Sequence, residues 1–349
     1  MAKEKTAADQ QVNEKKAGDK ALREEKAARK PQAVPPGKVR RSGRPAQPVL
    51  RKDPTKALFE AAQRLAKQVG VDAVFVHTQT LRGNPSLLQT FHGGPDVVLV
   101  VKGEEDGRTY RGLTKKVVRV PDVNLGRMDQ VKLAVVMGIT DRVITIGDRI
   151  LCLVGRVTRH TADTMVVLDV GDEFETMNIH EQSPGTQEVD PKVFEATLTM
   201  ALELANEGRD GRPIGAIFVL GGFQEVLRYS RQMIINPFQG HPESTRNILD
   251  PSLRETVKGF SSLDGAIVIR KDGVLVAAGR HLNAAYNGDA LPPGLGARHA
   301  AAAAITAVTK SLALTVSEST GTVTVFRGGK VMMALERFRQ APSLAESQD

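Results

Sequence analysis

Short runs of uninterrupted apolar residues, each too brief for a helix, constrain this chain more than anything else in it. Ala73-Val74-Phe75-Val76, Val97-Val98-Leu99-Val100-Val101 and residues 214–220 offer no polar face to water. A strand that is apolar on both sides has to be covered on both sides, which is the situation of a parallel sheet sandwiched between helices. The windows between these runs supply the helices. Residues 56–69 and 126–137 carry apolar side chains at helical spacing, the second expected to stop at Gly138, and further strands are expected at 116–120, 142–146, 150–154 and 164–170. The fold class is therefore α/β, with a mainly parallel α/β sandwich first.

The length of 349 residues suggests two such domains, each able to bury its own core. Their flanks differ from them in composition. Residues 1–53 are rich in Lys, Ala, Glu and Pro and read as a disordered basic tail, and residues 340–349 as a short polar one. The first domain spans 54–181, a linker 182–190 and the second domain 191–339. The net charge of +8 looks like a nucleic-acid signal until it is divided. Residues 1–52 hold 15 Lys and Arg against 6 Asp and Glu, leaving 33 against 34 in the remainder. The folded part is thus near neutral, so nucleic acid is expected to bind only weakly, through the tail. A single cysteine, Cys152, rules out an internal disulfide. With no long apolar run and no secretory pattern, the expectation is a cytoplasmic protein without a membrane partner.

In the second domain Pro191 opens an amphipathic helix to residue 206, and residues 214–220 form a buried strand closed by Gly221-Gly222. A helix at 225–233, a Pro-rich loop at 236–242 and a helix at 251–260 follow. Strands at 265–269 and 274–278 are joined by Lys271-Asp272-Gly273, a hairpin turn signal. A helix at 300–308 and strands at 314–316 and 323–326 complete a mixed sheet.

Three segments here carry chemistry. Asp264-Gly265-Ala266 puts a carboxylate at the head of a buried strand beside residues small enough for a ligand to approach, although such a triplet alone is most often a turn acid. Gly296-Ala297-Arg298-His299 leads into an alanine-rich helix whose N-terminus is a seat for anions. Arg298 offers a planar fork for phosphate oxygens, and neutral His299 suits either a divalent metal or a phosphate. Ser317-Glu318 ends a strand in a hydroxyl-rich turn that could complete a ribose or metal environment. An acid, a closely approachable backbone and cations are what nucleotidyl transfer needs.

In this order the three segments resemble the diadenylate cyclase family, whose motifs are Asp-Gly-Ala, Arg-His-Arg and a later Ser-Glu turn. The resemblance covers about residues 191–339 and includes the stretch from Arg228 through Asn236-Pro237-Phe238-Gln239-Gly240-His241. The layout, with an α/β domain in front, is similar to that of archaeal diadenylate cyclases, where a domain likened to the C-terminal domain of pyruvate kinase precedes the cyclase. Two positions depart from the family pattern: Ala300 stands where the motif has its last Arg, and Ala297 where a Thr is common. The resemblance implies a nucleotidyltransferase that condenses two ATP into cyclic di-AMP, a second messenger, at facing sites of two associated subunits. It implies Mg²⁺ or Mn²⁺ held by Asp264 and His299, and catalysis by Asp264, Gly265, Arg298 and His299. It further implies nucleotide contacts from Ala266, Leu282, Gly296, Ala297, Ser317 and Glu318. Ala297 and Ala300 leave a second expectation beside the first, a catalytically weakened nucleotide sensor with the same fold.

Overall fold

A computed structural model describes residues 53–81, 83–110, 112–156, 160–171, 189–208, 211–285 and 295–337. The tail through residue 52, positions 182–188 of the expected linker and the 340–349 tail lie outside the described residues.

The first sheet grows from the apolar runs. Strands β1 (Ala73–His77), β2 (Asp96–Lys102), β3 (Lys116–Val120) and β4 (Arg149–Arg156) pair in parallel, and β5 (Thr161–Asp169) closes the far edge antiparallel to β4, in the order β3-β2-β1-β4-β5. Helix α1 (Thr55–Val69) covers one face by burying Phe59, Ala62 and Ala66 against Val74, Val76, Leu99 and Leu153. Short α2 (Gly103–Thr109) follows β2, and α3 (Arg127–Thr140) covers the opposite face, where Ala73, Phe75, Val98 and Val100 point. The chain steps outward from β1 to β3 and then crosses back through α3 to β4, so its direction reverses at β1.

The second sheet is seven-stranded and mixed. Its elements are α4 (Pro191–Asn206), β6 (Ala216–Leu220), α5 (Phe223–Arg228), β7 (Ser230–Gln232), α6 (Arg254–Ser261), β8 (Ala266–Ile269), β9 (Leu275–Leu282), α7 (Ala297–Val308), β10 (Leu312–Val316), β11 (Val323–Arg327) and β12 (Lys330–Leu335). The order is β12-β11-β10-β6-β8-β9-β7, and β6 with β8 is its parallel pair. Phe218, Leu220, Ile267 and Leu314 face α4 and α6, whereas Ile217, Val219, Ala266 and Val268 face α5 and α7. The first of these layers is continuous with the core beneath α3. At 25 cal/mol per Å² or so, such burial is the main stabilising term in both layers.

Several expectations change. Residues 142–146 are a turn rather than a strand, because the Asp148 carboxylate accepts from the Thr145 amide at 2.7 Å and from its hydroxyl at 3.2 Å. Helix α3 runs past Gly138 to Thr140, whose hydroxyl donates to the Val136 carbonyl. Residues 230–232 are an edge strand on β9, not the end of a helix. Strand β12 went unread in the sequence, although Gly328-Gly329 before it is a hairpin signal. Helix α7 begins at Ala297, three residues before the expected start, which moves Arg298 and His299 into its first turn.

Candidate active site

The register of the second sheet assembles the site. β6 and β8 pair with Ile217 opposite Ala266, and β10 and β6 pair with Val316 opposite Ala216. Continued past the last paired residues, these ladders set Ser317, Gly215 and Asp264 side by side. Across β9, where Arg280 faces Ala266, the same continuation brings Leu282 opposite Asp264. The amino ends of the parallel pair and the carboxyl ends of their antiparallel neighbours thus share one edge of the sheet. Strand ends remote in sequence are thus led to one edge by pairing register, and helix α7 adds its first turn by packing over them.

Asp264 is exposed in the turn before β8. Gly265 has φ +104°, and a methyl group on it would come within 2.8 Å of the Arg280 amide nitrogen and of the Gly279 carbonyl carbon. The open side of this glycine is therefore filled by the β9 backbone, with the Met233 methyl at 2.9 Å. That crowding fixes the turn that presents Asp264. Ala266 is fully buried, and Leu282 is half-buried at the end of β9, packed on the layer under α7. Beside it, His281 Nδ1 and Asn283 Oδ1 are 2.5 Å apart at the surface.

Gly296 caps α7 with extended backbone, and no side chain caps this end. Arg298, in the first turn, pairs with Glu318 through Nη1 and Oε2 at 2.9 Å, and both groups are well exposed. What holds Arg298 on the sheet edge is Gly215. A methyl there would meet the guanidinium carbon at 2.7 Å and Glu318 Cβ at 3.0 Å, so the guanidinium lies directly over bare backbone. The sequence reading missed Gly215, taking it as the interior of a strand at 214–220; a glycine at the head of an apolar run was the available signal. His299 faces inward, 5% exposed, its ring edge-on to Phe326 with centroids 6.0 Å apart. Burial pushes its pKa below the ordinary 6.5, so the imidazole is neutral at pH 7.

Ser317 sits in a tight turn between β10 and β11. Its amide donates to the Thr322 carbonyl at 2.9 Å, its carbonyl accepts from the Gly321 amide at 2.8 Å, and its hydroxyl lies 3.2 Å from that of Ser319. Ala297 and Ala300 are exposed on the first turn of α7, so neither missing side chain leaves a hole in the core. Among the described residues no three His, Cys, Asp or Glu side chains converge as a metal cage. One exposed carboxylate on a sheet edge instead fits a divalent ion that arrives on phosphates, since Mg²⁺ commonly takes one or two protein carboxylates and fills its other positions with phosphate oxygens and water. The edge thus offers the Asp264 carboxylate, a guanidinium on a glycine cradle paired with Glu318, and one uncapped helix end, a set suited to a polyphosphate.

Comparison with known proteins agrees with this chemistry. Residues 203–331 match the family described as "DisA bacterial checkpoint controller nucleotide-binding", and residues 55–177 match one described as "Probable sensor domain DacZ_P". The diadenylate cyclase of Methanocaldococcus jannaschii is 37% identical over 193 residues, covering 55% of this chain and 61% of that protein. The diadenylate cyclase of Haloferax volcanii is 31% identical over 266 residues, covering 76% of this chain and 93% of that one. Among the described residues no helix is long and apolar enough to cross a membrane.

Proposed function

The chain belongs to the diadenylate cyclase family, and on that premise we propose that it condenses two ATP into cyclic di-AMP and two pyrophosphates, in the cytoplasm, at sites facing each other across two subunits. What supports this reading is the Arg298–Glu318 pair lying over Gly215, at the head of β6, whose sheet neighbours β8 and β10 lead to Asp264 and Ser317.

The 3′-oxygen of one ATP attacks the α-phosphorus of the other, its proton is lost, and the bond to the β-phosphate breaks to release pyrophosphate. A second, symmetric attack closes the ring. Nothing covalent forms on the protein, whose work is positioning and neutralising. Asp264 is exposed where an incoming ribose would lie, and its carboxylate draws the proton from the 3′-hydroxyl. Arg298 and the amides opening α7 hold the triphosphate, with Ser317 completing the phosphate surroundings. Buried His299 fixes the first turn of α7 so that Arg298 stays over Gly215. Leu282, with His281 and Asn283 beside it, borders the adenine. Mg²⁺ or Mn²⁺, when bound with the triphosphate, would neutralise its charge; Asp264 would hold it, whereas His299, the second ligand expected from the sequence, is turned into the core against Phe326. Each protein copy provides one such edge for one ATP, so ring closure needs two copies.

The test is incubation of the full chain with ATP, GTP and their mixture under Mg²⁺ or Mn²⁺, with product masses determined. Cyclic di-AMP from ATP is expected. ATP binding without product under either metal would overturn the enzyme and leave a nucleotide sensor. Full activity of a strict monomer at nanomolar concentration would overturn the facing sites.

A further inference from the structure

The other sheet carries a polar cluster for which the cyclase reaction has no use. His77 ends β1, the strand at which the chain reverses direction, and open α/β sheets bind ligands outside the carboxyl ends of strands at such points. His77 lies on the same face of β1 as Ala73 and Phe75, the face covered by α3. It is 2% exposed, and its Nε2 is buried with no hydrogen-bond partner. A buried polar atom left unpaired costs about 1–3 kcal/mol and is seldom retained without a reason.

Its neighbours are also polar. Gln79 Nε2 donates to Gln130 Oε1 at 2.5 Å, tying the first turn of α3 to the end of β1. Lys102, at the end of β2, is close enough to His77 to affect its charge and donates from Nζ to the Val123 carbonyl at 2.9 Å, with further protons to give. The N-terminus of α3, at Gly126, has no side-chain cap. Asp106 is taken by the Thr78 hydroxyl and by the Lys102 amide at 3.2 Å, and Asp122 also lies near Lys102.

We propose that this carboxyl edge, between His77, Lys102 and the first turn of α3, binds a small metabolite bearing a single oxyanion, a carboxylate or a phosphate monoester. One ammonium and one helix end match one such group, and the unpaired imidazole nitrogen takes a neighbouring hydroxyl or carbonyl of the ligand. Asp106, Asp122 and Asp129, the last in the first turn of α3 and held by Lys132 and the Glu336 amide, set the upper limit on charge, because a di- or triphosphate would meet these carboxylates. The site is separate from the ATP edge, and a chain of contacts runs between them. Asp129, in the first turn of α3, accepts from the Glu336 amide at 3.3 Å, and Lys132 reaches the Ala334 carbonyl at 3.4 Å. The adjacent Arg337 packs against Gly321, in the turn that carries Ser317 and Glu318. Ligand-dependent control of the cyclase through this chain rests on the proposed function; binding itself does not.

Binding is tested on the full chain, with inorganic phosphate and lactate as the two probes and ATP as control. The imidazole signals of His77, assigned by their loss in His77→Phe, are followed by NMR, and affinities by calorimetry. A saturable shift with phosphate, lactate or both is expected, either alone identifying which oxyanion the site takes. Lys102→Gln, which keeps a donor for Val123, is expected to weaken binding at least tenfold. His77→Phe is expected to weaken it similarly while retaining or raising Tm, since an unpaired polar group is removed. No saturable shift with either probe would overturn the proposal. So would unchanged affinity in both variants, or ATP displacing the probes.

Discussion

The two sheets place their polar groups at opposite kinds of edge and at opposite depths. In the first they lie at the carboxyl ends of parallel strands and are buried, with His77 2%, Thr80 0% and Gln130 3% exposed. In the second they lie at the amino ends of the parallel pair β6 and β8, where Asp264 is exposed and the Arg298 and Glu318 side chains are 37% and 68% exposed. The mixed order explains the second location. Antiparallel β9 and β10 bring their carboxyl ends to the amino ends of β8 and β6, so turns of both kinds gather on one edge. The depths suit the proposed ligands: a triphosphate, large and highly charged, would be met by exposed groups that solvent serves until it arrives, whereas buried groups would be preorganised for something small. Removing a group from the open edge should therefore damage cyclase chemistry and leave stability nearly unchanged, whereas removing one from the buried edge should alter stability and its pH dependence and leave that chemistry nearly unchanged.

The strongest test of that contrast is Asp264→Asn. It leaves size and exposure unchanged, so thermal unfolding should stay within about 0.5 kcal/mol of the parent. Cyclic di-AMP formation should fall by about a thousandfold, or about 4 kcal/mol, because an amide cannot take the ribose proton. A parallel loss of Tm would show that Asp264 is structural. One residue along, Gly265→Ala should break the contrast deliberately. With φ at +104° and the β9 backbone 2.8 Å from the new methyl, this change on the open edge should destabilise the fold by about 3 kcal/mol in chemical denaturation. Activity should fall further than folding does, because the displaced turn no longer presents Asp264 as the parent does.

How much of this was legible beforehand depends on what each feature rests on. The strands at 73–76, 97–101 and 116–120 and helices α1 and α4 are visible because their apolar spacing is local, and the Asp272-Gly273 turn announces its hairpin. The segment 142–146 misleads because Asp148, two residues beyond it, supplies turn chemistry that apolar counting ignores. Asp264, Arg298 and Glu318 are visible as motifs, but the cradle at Gly215 is not, since it depends on the register of β10 with β6, a contact about a hundred residues apart in sequence. His77 is likewise silent in sequence. A histidine at the end of an apolar run looks like any strand end until burial leaves its Nε2 unpaired.

On the buried edge the corresponding test is pH. Burial, with Lys102 nearby, holds the His77 pKa at about 3, against 6.5 when unfolded. Between these values the unfolded chain binds a proton that the folded chain refuses, so the associated stability is present above pH 6.5 and lost as pH falls toward 3. From pH 7 to 5 the parent should lose about 2 kcal/mol from this group, a loss that His77→Phe should not show. Denaturant titrations at the two pH values measure the difference. Identical slopes in parent and variant would mean that His77 is protonated in the fold, and the contrast in depth would fail.

The smallest effect belongs to Glu318→Gln, and it separates the two edges most finely. The Arg298–Glu318 pair is exposed, and exposed pairs contribute about 0–1 kcal/mol, so Tm should hardly move. Glutamine still accepts from the Arg298 Nη1 proton and keeps the guanidinium over Gly215, while the carboxylate charge that competes with phosphate is gone. KM for ATP should therefore fall by about threefold, the equivalent of about 0.6 kcal/mol, at nearly constant kcat. A loss of more than about 1 kcal/mol of stability would make the pair a structural clasp. A rise in KM would mean that Glu318 faces the metal or the ribose rather than only restraining Arg298, because an open edge rewards loss of a competing charge only where that charge and the triphosphate seek the same guanidinium.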